Sequence, residues 1–202
     1  MTSLVLATRN RHKTREFVEL LGPEFVVRDL AGFDGVPEVD ETGASFLENA
    51  LLKAVTVSRT VGGLVIADDS GLEVDSLGGV PGVRSARYAG EHATDNENVA
   101  KLLDSLAKTQ ERSARFRCVI AVAEGGQQLA FFDGSVSGLI ARQPSGAGGF
   151  GYDPVFVPDG YEQTFAELGD DVKNQISHRA RAVARLRSWL MENKKGGENR
   201  RP

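Results

Sequence analysis

The stretch Leu64 to Val74, LVIADDSGLEV, constrains this chain more than any other. Gly62-Gly63 precede it, and the apolar run Leu64, Val65, Ile66, Ala67 reads as a buried β-strand. Asp68 and Asp69 then stand side by side at the strand's C-terminal end. Ser70-Gly71 turns the chain, and a second short apolar run covers Leu72 to Val74. Ligands of open α/β sheets sit beyond the carboxyl ends of the strands. Two adjacent acids there repel each other and resist burial unless a cation or a substrate proton answers them. By itself the stretch reads more readily as a strand ending in a polar turn, because Asp, Ser and Gly are ordinary turn residues.

The chain is long enough to bury such a strand. Its 202 residues suit one domain or a two-lobed one, and 41% hydrophobic with 26% charged residues is ordinary for a soluble globular protein. A net charge of −4 gives no general basic surface for nucleic acid. The single cysteine, Cys118, cannot form an internal disulfide and lies in an apolar run, so a small core residue in a reducing compartment is expected. No apolar run approaches a membrane span, and MTSLVLATRN lacks the pattern of a signal peptide, so the expected location is the cytoplasm. No internal repeat is evident. Residues 194–202, KKGGENRRP, are polar and aperiodic and are expected to be disordered, leaving one two-lobed domain over residues 1–193.

The chain opens strand–loop–helix–strand. Leu4 to Ala7 is a short strand, Arg11 to Leu21 a helix with Phe17, Leu20 and Leu21 on one face, and Phe25 to Leu30 a second strand. Asn10 can cap the helix and Gly22-Pro23 stops it. The intervening Thr8-Arg9-Asn10-Arg11-His12-Lys13 gathers three cations and a histidine where the helix macrodipole is already positive. A bound anion would resolve that conflict, held by helix N–H groups, the lysine charge and the Thr8 and Asn10 side chains. A solvated basic turn is the alternative. The glycines of a P-loop are absent.

Glu38, Asp40 and Glu41 lie in the loop Ala31 to Ala44, and Ser45-x-x-Glu48 is a capping box for a helix to about Thr60. Asp40 and Glu41 are either loop solvation or metal ligands. Asp75 to Gly90, rich in glycine and holding Arg84 and Arg87, is longer than an idle loop needs to be. Thr94-x-x-Glu97 caps a further helix to about Leu106, and Arg115 to Glu124 and Gln128 to Gly138 flank Gly125-Gly126 as a β-hairpin. The sheet is therefore mixed. Ser145 to Pro154, SGAGGFGYDP, sets Phe150 and Tyr152 among glycines that let a backbone approach a ligand. Lys173 and then Ser177-His178-Arg179 lead into a last helix, to about Met191, whose start is again basic.

Two basic helix starts, an aromatic glycine loop and acids at a strand end are complementary parts. Together they suit a nucleoside triphosphate with Mg²⁺: acids for the metal, cations for the phosphates, an aromatic for the base.

The ordered segments carry a resemblance. They are Thr8-x-Asn10-x-x-Lys13, Glu41-Thr42-Gly43 with Phe46 and Glu48-Asn49-Ala50, and Ala67-Asp68-Asp69-Ser70-Gly71-Leu72. Further along come Gly78-Gly79-x-Pro81-Gly82, Ser85-Ala86-Arg87-Tyr88, Gly148 to Pro154 and Ser177-His178-Arg179. Spread over nearly the whole chain, they resemble the inosine triphosphate pyrophosphatase family. The resemblance implies an α/β fold, an elongated mixed β-sheet flanked by helices in two lobes with a central cleft. It implies a homodimer, Mg²⁺ dependence, and hydrolysis of dITP, ITP and XTP to the monophosphate and pyrophosphate. By position, Asp69 resembles the general base and a metal partner, with Asp40 or Glu41 a further ligand. Thr8, Arg9, Asn10, Arg11, His12, Lys13 and Lys173 resemble phosphate contacts. Ser70, Phe150, Gly151, Tyr152, Asp153, His178 and Arg179 resemble nucleotide contacts. Arg9 stands where many members have glycine. Two other readings are a Maf-like pyrophosphatase of different base preference, against which the Phe150 and His178 segments speak, and a non-enzymatic nucleotide or RNA binder, against which the acidic cluster speaks.

Overall fold

The apolar runs on either side of the first helix become neighbouring strands. In the computed structural model, which describes residues 2–198 and side chains as far as Asn193, β1 (Thr2–Leu6) pairs in parallel with two partners. These are β2 (Phe25–Asp29), with Leu4 opposite Val27, and β3 (Leu64–Val74), with Leu4 opposite Leu64. Helix α1 (Arg11–Leu21) makes the first crossover and buries Phe17 and Leu21, one turn apart. Gly22 ends it at φ 80°, a left-handed conformation that costs glycine little.

The expected turn at Ser70-Gly71 does not form: β3 is one strand from Leu64 to Val74. Leu72 and Val74 beyond the supposed turn are fully buried, and the Leu72 N–H is taken by Ser85 Oγ at 2.9 Å. Burial of the far apolar run and a side-chain partner for the ladder outweigh the turn preference of Ser and Gly. The acids are thus inside a strand and not at its end. They still follow the last parallel pairing, because β1 stops at Leu6, opposite Ile66.

The hairpin is β4 (Ser113–Glu124) and β5 (Gln127–Ile140), joined at Gly125 and Gly126, both at positive φ. A short β6 (Phe156–Pro158), unanticipated from the sequence, pairs antiparallel with β5, Leu139 opposite Val157. The strand order is β2-β1-β3-β4-β5-β6, a mixed sheet as expected.

The remaining helices are α2 (Phe46–Ser58), α3 (Asp95–Ser105), α4 (Phe165–Ile176) and α5 (His178–Glu198). The α3 capping box is reciprocal, as expected. At α2 the return half moves one residue back: Glu48 Oε2 accepts from the Ala44 N–H at 2.7 Å. Helix α4 escaped the sequence reading although Thr164 and Glu167 form a full capping box. Gly169, at φ 78°, breaks the helix after its first turn and with it the apolar period. The long glycine loop is ordered by two 3₁₀ segments, Asp75–Leu77 and Gly82–Arg87. Helix α5 passes Lys194, where disorder was expected to begin, and residues 199–202 lie outside the described residues. Among the described residues no helix is long and apolar enough to cross a membrane.

The chain divides into two compact units. The first comprises residues 1–69, 119–133 and 180–202, the second residues 70–118 and 134–179. The first buries Leu4, Leu6, Phe17, Leu21, Val65, Ile66 and Ile120, and Cys118 is buried at the end of the second unit's first segment. The second unit's core gathers Leu72, Leu102, Leu106, Phe116, Phe156 and Phe165.

Candidate active site

In the first unit the acids of β3 meet one face of α2. That helix presents an apolar stripe, Phe46, Ala50, Ala54 and Val57, interrupted by Asn49 and Lys53, a pair one turn apart. Lys53 Nζ lies 2.5 Å from Glu41 Oε1, 2.7 Å from the Asp68 carbonyl oxygen and 4.0 Å from Asp69 Oδ1. Asn49 Nδ2 donates to Asp69 Oδ2 at 3.0 Å, while its Oδ1 accepts from the Gly43 N–H at 2.7 Å. Lys13 Nζ pairs with Asp68 Oδ1 at 3.0 Å. Two buried acids on consecutive residues are thereby each answered by a different ammonium.

These neighbours set the electrostatics. Burial pushes the Asp69 carboxyl above its ordinary range, helped by the Glu41 charge and opposed by Lys53, Lys13 and the Asn49 amide. Burial acts to lower Lys53, but the Asp69, Asp68 and Glu41 charges prevail and its ammonium is held above its ordinary range. Asp69 is thus a buried carboxylate whose charge is costly to hold.

Of the two neighbouring acids, Glu41 is joined to Asp69 through Lys53, while Asp40 is exposed and its carbonyl accepts from the Thr42 N–H. Among the described residues no group of three or more His, Cys, Asp or Glu is gathered to cage a metal. The Glu41–Asp69 pair nonetheless fits Mg²⁺, which commonly takes one or two carboxylates and completes its shell with water and phosphate oxygens.

The basic loop is arranged by its own hydrogen bonds. Asn10 Oδ1 caps α1, accepting from the His12 and Lys13 N–H groups at 2.9 and 3.3 Å, and Thr8 Oγ1 accepts from the Asn10 N–H at 3.2 Å. Arg9 Nη2 donates to the Val36 carbonyl at 3.2 Å. Arg9, Arg11 and His12 are exposed, and Lys13 is drawn in towards Asp68.

The second unit builds a separate cluster from the aromatic glycine loop, α4 and the start of α5. Lys173 Nζ and Asp153 Oδ2 are 2.6 Å apart and buried, and the same oxygen accepts from the Phe150 N–H at 2.9 Å. Lys173, expected as a phosphate contact, is thus tied to the aromatic loop, its ammonium 4.5 Å from the centre of the Phe150 ring. The Arg179 guanidinium lies 5.8 Å from the same ring and donates through Nη2 to Ser70 Oγ at 2.8 Å. His178 stacks on Phe116, ring centres 4.8 Å apart. The Gly151 N–H is anchored to Asp95 Oδ2 at 2.7 Å.

The two aromatics differ in burial. Tyr152 is 3% exposed and belongs to the core, its hydroxyl donating to the Ser85 carbonyl at 2.8 Å, and burial pushes its phenol above the ordinary range. Phe150 is half-buried, with Lys173 and Arg179 beside its ring.

Asn49 and Lys53 are the residues that sequence reasoning passed over as site members. The available signal was a polar pair one turn apart on an otherwise apolar helix face, where a buried amide and ammonium need partners.

The fold and this cluster define an α/β protein whose inner strand carries two buried carboxylates answered by lysines. The chain belongs to the Ham1 family, whose model matches residues 4–189. It is 49% identical over 193 residues to a dITP/XTP pyrophosphatase of Bacillus licheniformis, covering 94% of this chain and 98% of that one. It is 47% identical to that of Bacillus subtilis, with the same coverage of both chains. The structure of the Staphylococcus aureus Ham1 protein is similar at TM-score 0.86 and 41% identity, covering 95% of this chain and all of that one. A nucleoside-triphosphatase/dITP/XTP pyrophosphatase of Mycobacterium abscessus is similar at TM-score 0.74 and 41% identity, covering 92% and 98%. The family resemblance read from the ordered motifs is borne out, as is the mixed α/β fold.

Proposed function

We propose that this protein is a hydrolase that splits non-standard purine nucleoside triphosphates, dITP, ITP and XTP, into the monophosphate and pyrophosphate. The observation that carries the reading is the buried carboxylate Asp69, set by Asn49 and facing the Lys53 ammonium that Glu41 shares. The names of relatives at nearly half identity over nearly their whole length support the substrate class.

Asp69 is the general base. It takes a proton from water as the water oxygen bonds to the α-phosphorus, and the bond from that phosphorus to the bridging oxygen breaks, releasing pyrophosphate. Glu41 and Asp69 would hold Mg²⁺, whose charge lowers the energy of the developing phosphate anions. Lys13 and the Thr8 to His12 loop neutralise the phosphate tail, and Lys53 keeps Asp69 ionised despite its burial. Phe150 is the stacking face for the base, and Lys173, His178 and Arg179 are the cations and donors beside it. Inosine and xanthine carry an oxygen at position six where adenine has an amino group, so donors left unpaired against adenine discriminate. The active form is a cytoplasmic homodimer.

The test is pyrophosphate release from ITP, XTP, dITP, ATP and GTP in the presence of Mg²⁺. The expected outcome is turnover of the first three well above the last two, abolished by a chelator and restored by Mg²⁺. Equal turnover of all five would replace this reading with an unselective pyrophosphatase, and full activity in excess chelator would remove the metal.

A further inference from the structure

Asn49 is completely buried in the first unit, yet its amide is spent on neither solvent nor the helix backbone. Its Oδ1 accepts from the Gly43 N–H at 2.7 Å and its Nδ2 donates to Asp69 Oδ2 at 3.0 Å. The orientation is unambiguous: a flipped amide would set its NH₂ against an N–H and its oxygen against a carboxylate. Gly43 belongs to the loop that carries Glu41, so one side chain ties together the two segments that bear the acids. Space is shaped for this contact. A Cβ at Gly43 would lie 2.6 Å from Asn49 Oδ1 and 2.7 Å from Glu48 Cβ, so only glycine lets the loop come this close. On its other side Asp69 faces Lys53, with Oδ1 at 4.0 Å from the ammonium.

We infer that Asn49 is the positioning residue of the reaction: it fixes the plane of the Asp69 carboxylate by holding Oδ2 and sets the spacing between Asp69 and Glu41. The inference rests on the proposed role of Asp69. A carboxylate free to rotate about its last bond would spend much of its time aimed away from the water it must deprotonate, and outer partners of this kind typically contribute tenfold to a hundredfold.

Two variants remove the donor. Asn49→Asp keeps the shape and the acceptor for Gly43 but loses the donation to Asp69. Asn49→Ser is uncharged and too short to bridge. Each is measured for kcat and KM with ITP, for thermal unfolding, and for the rise in unfolding temperature that Mg²⁺ alone produces. The expected result in both is a kcat lowered about tenfold to a hundredfold, KM changed less than about threefold, and a smaller Mg²⁺ effect on unfolding. Loss in the Asp variant alone would report the added charge and overturn the inference, as would a kcat near wild type in both. Should the Asp variant not fold, the Ser variant decides by the same criterion. An Asp69→Asn control separates this inference from the one beneath it. If that control retains full turnover, the role of Asp69 fails. If it is inactive while both Asn49 variants are active, only the positioning role fails.

Discussion

The Lys13 ammonium stands 3.0 Å from Asp68 Oδ1, and this ion pair gives different partners to two acids that the sequence places side by side. Asp68 is held by Lys13, whereas Asp69 faces Lys53 and Asn49 and is pushed up by burial. The proposed base is the second of the two.

Replacement of Asp69 therefore tests the chemistry with little effect on the fold. Asp69→Asn should lower kcat at least ~100-fold, the scale of a lost general base. The amide still accepts from Asn49 and no longer has a charge to bury, so stability should stay within about 1 kcal/mol of wild type by denaturant unfolding. Turnover near wild type would transfer the role to Asp68.

Lys13→Ala removes charge from the phosphate end and leaves Asp68 buried without its ammonium. Affinity for a triphosphate should fall far more than affinity for the monophosphate product, which calorimetric titration of both ligands reads directly. Equal losses would place Lys13 with the fold alone. A modest loss of stability, about 1–3 kcal/mol, should accompany it, because an acid as buried as Asp68 loses a charged partner.

Gly149→Ala addresses the aromatic loop. Gly149 has φ +73°, and a Cβ there would come 2.2 Å from Asp153 Oδ2, the oxygen that holds both Lys173 and the Phe150 N–H. The substitution should cost at least about 1–2 kcal/mol in unfolding and raise KM by loosening Phe150. An unchanged KM would mean that the setting of Phe150 does not matter for binding.

Base selectivity is expected to follow Arg179. Its guanidinium is buried beside Phe150 and bonded to Ser70, so Arg179→Lys, which keeps the charge but loses the planar fork, is the milder probe, and Arg179→Ala the stronger. Both should lower the ITP-over-ATP ratio of kcat/KM. A ratio unchanged in steady-state kinetics with ITP, XTP, ATP and GTP would assign base reading to other residues.

Elements whose cause is local were legible from the residues themselves. The Asn10 cap, the Thr94–Glu97 box and the glycine hairpin turn all formed where their side chains predicted, because each is decided within a few residues. The ordered motifs also identified the family over nearly the whole chain. What the tertiary structure decided lies where distant segments compete for one group. Ser70-Gly71 has turn chemistry but stays extended, since Ser85 and a buried core claim the residues beyond it. Tyr152 and Phe150 look alike in one loop, and only packing against the Leu102 and Phe156 core puts the first inside. Asp40 and Glu41 are indistinguishable by composition, and only the fold shows that Lys53, one turn beyond Asn49, pairs with Glu41. Local hydrogen bonds and periodicity are written in neighbouring residues, whereas the partner of a buried charge is chosen by which residues the fold brings within a few ångströms.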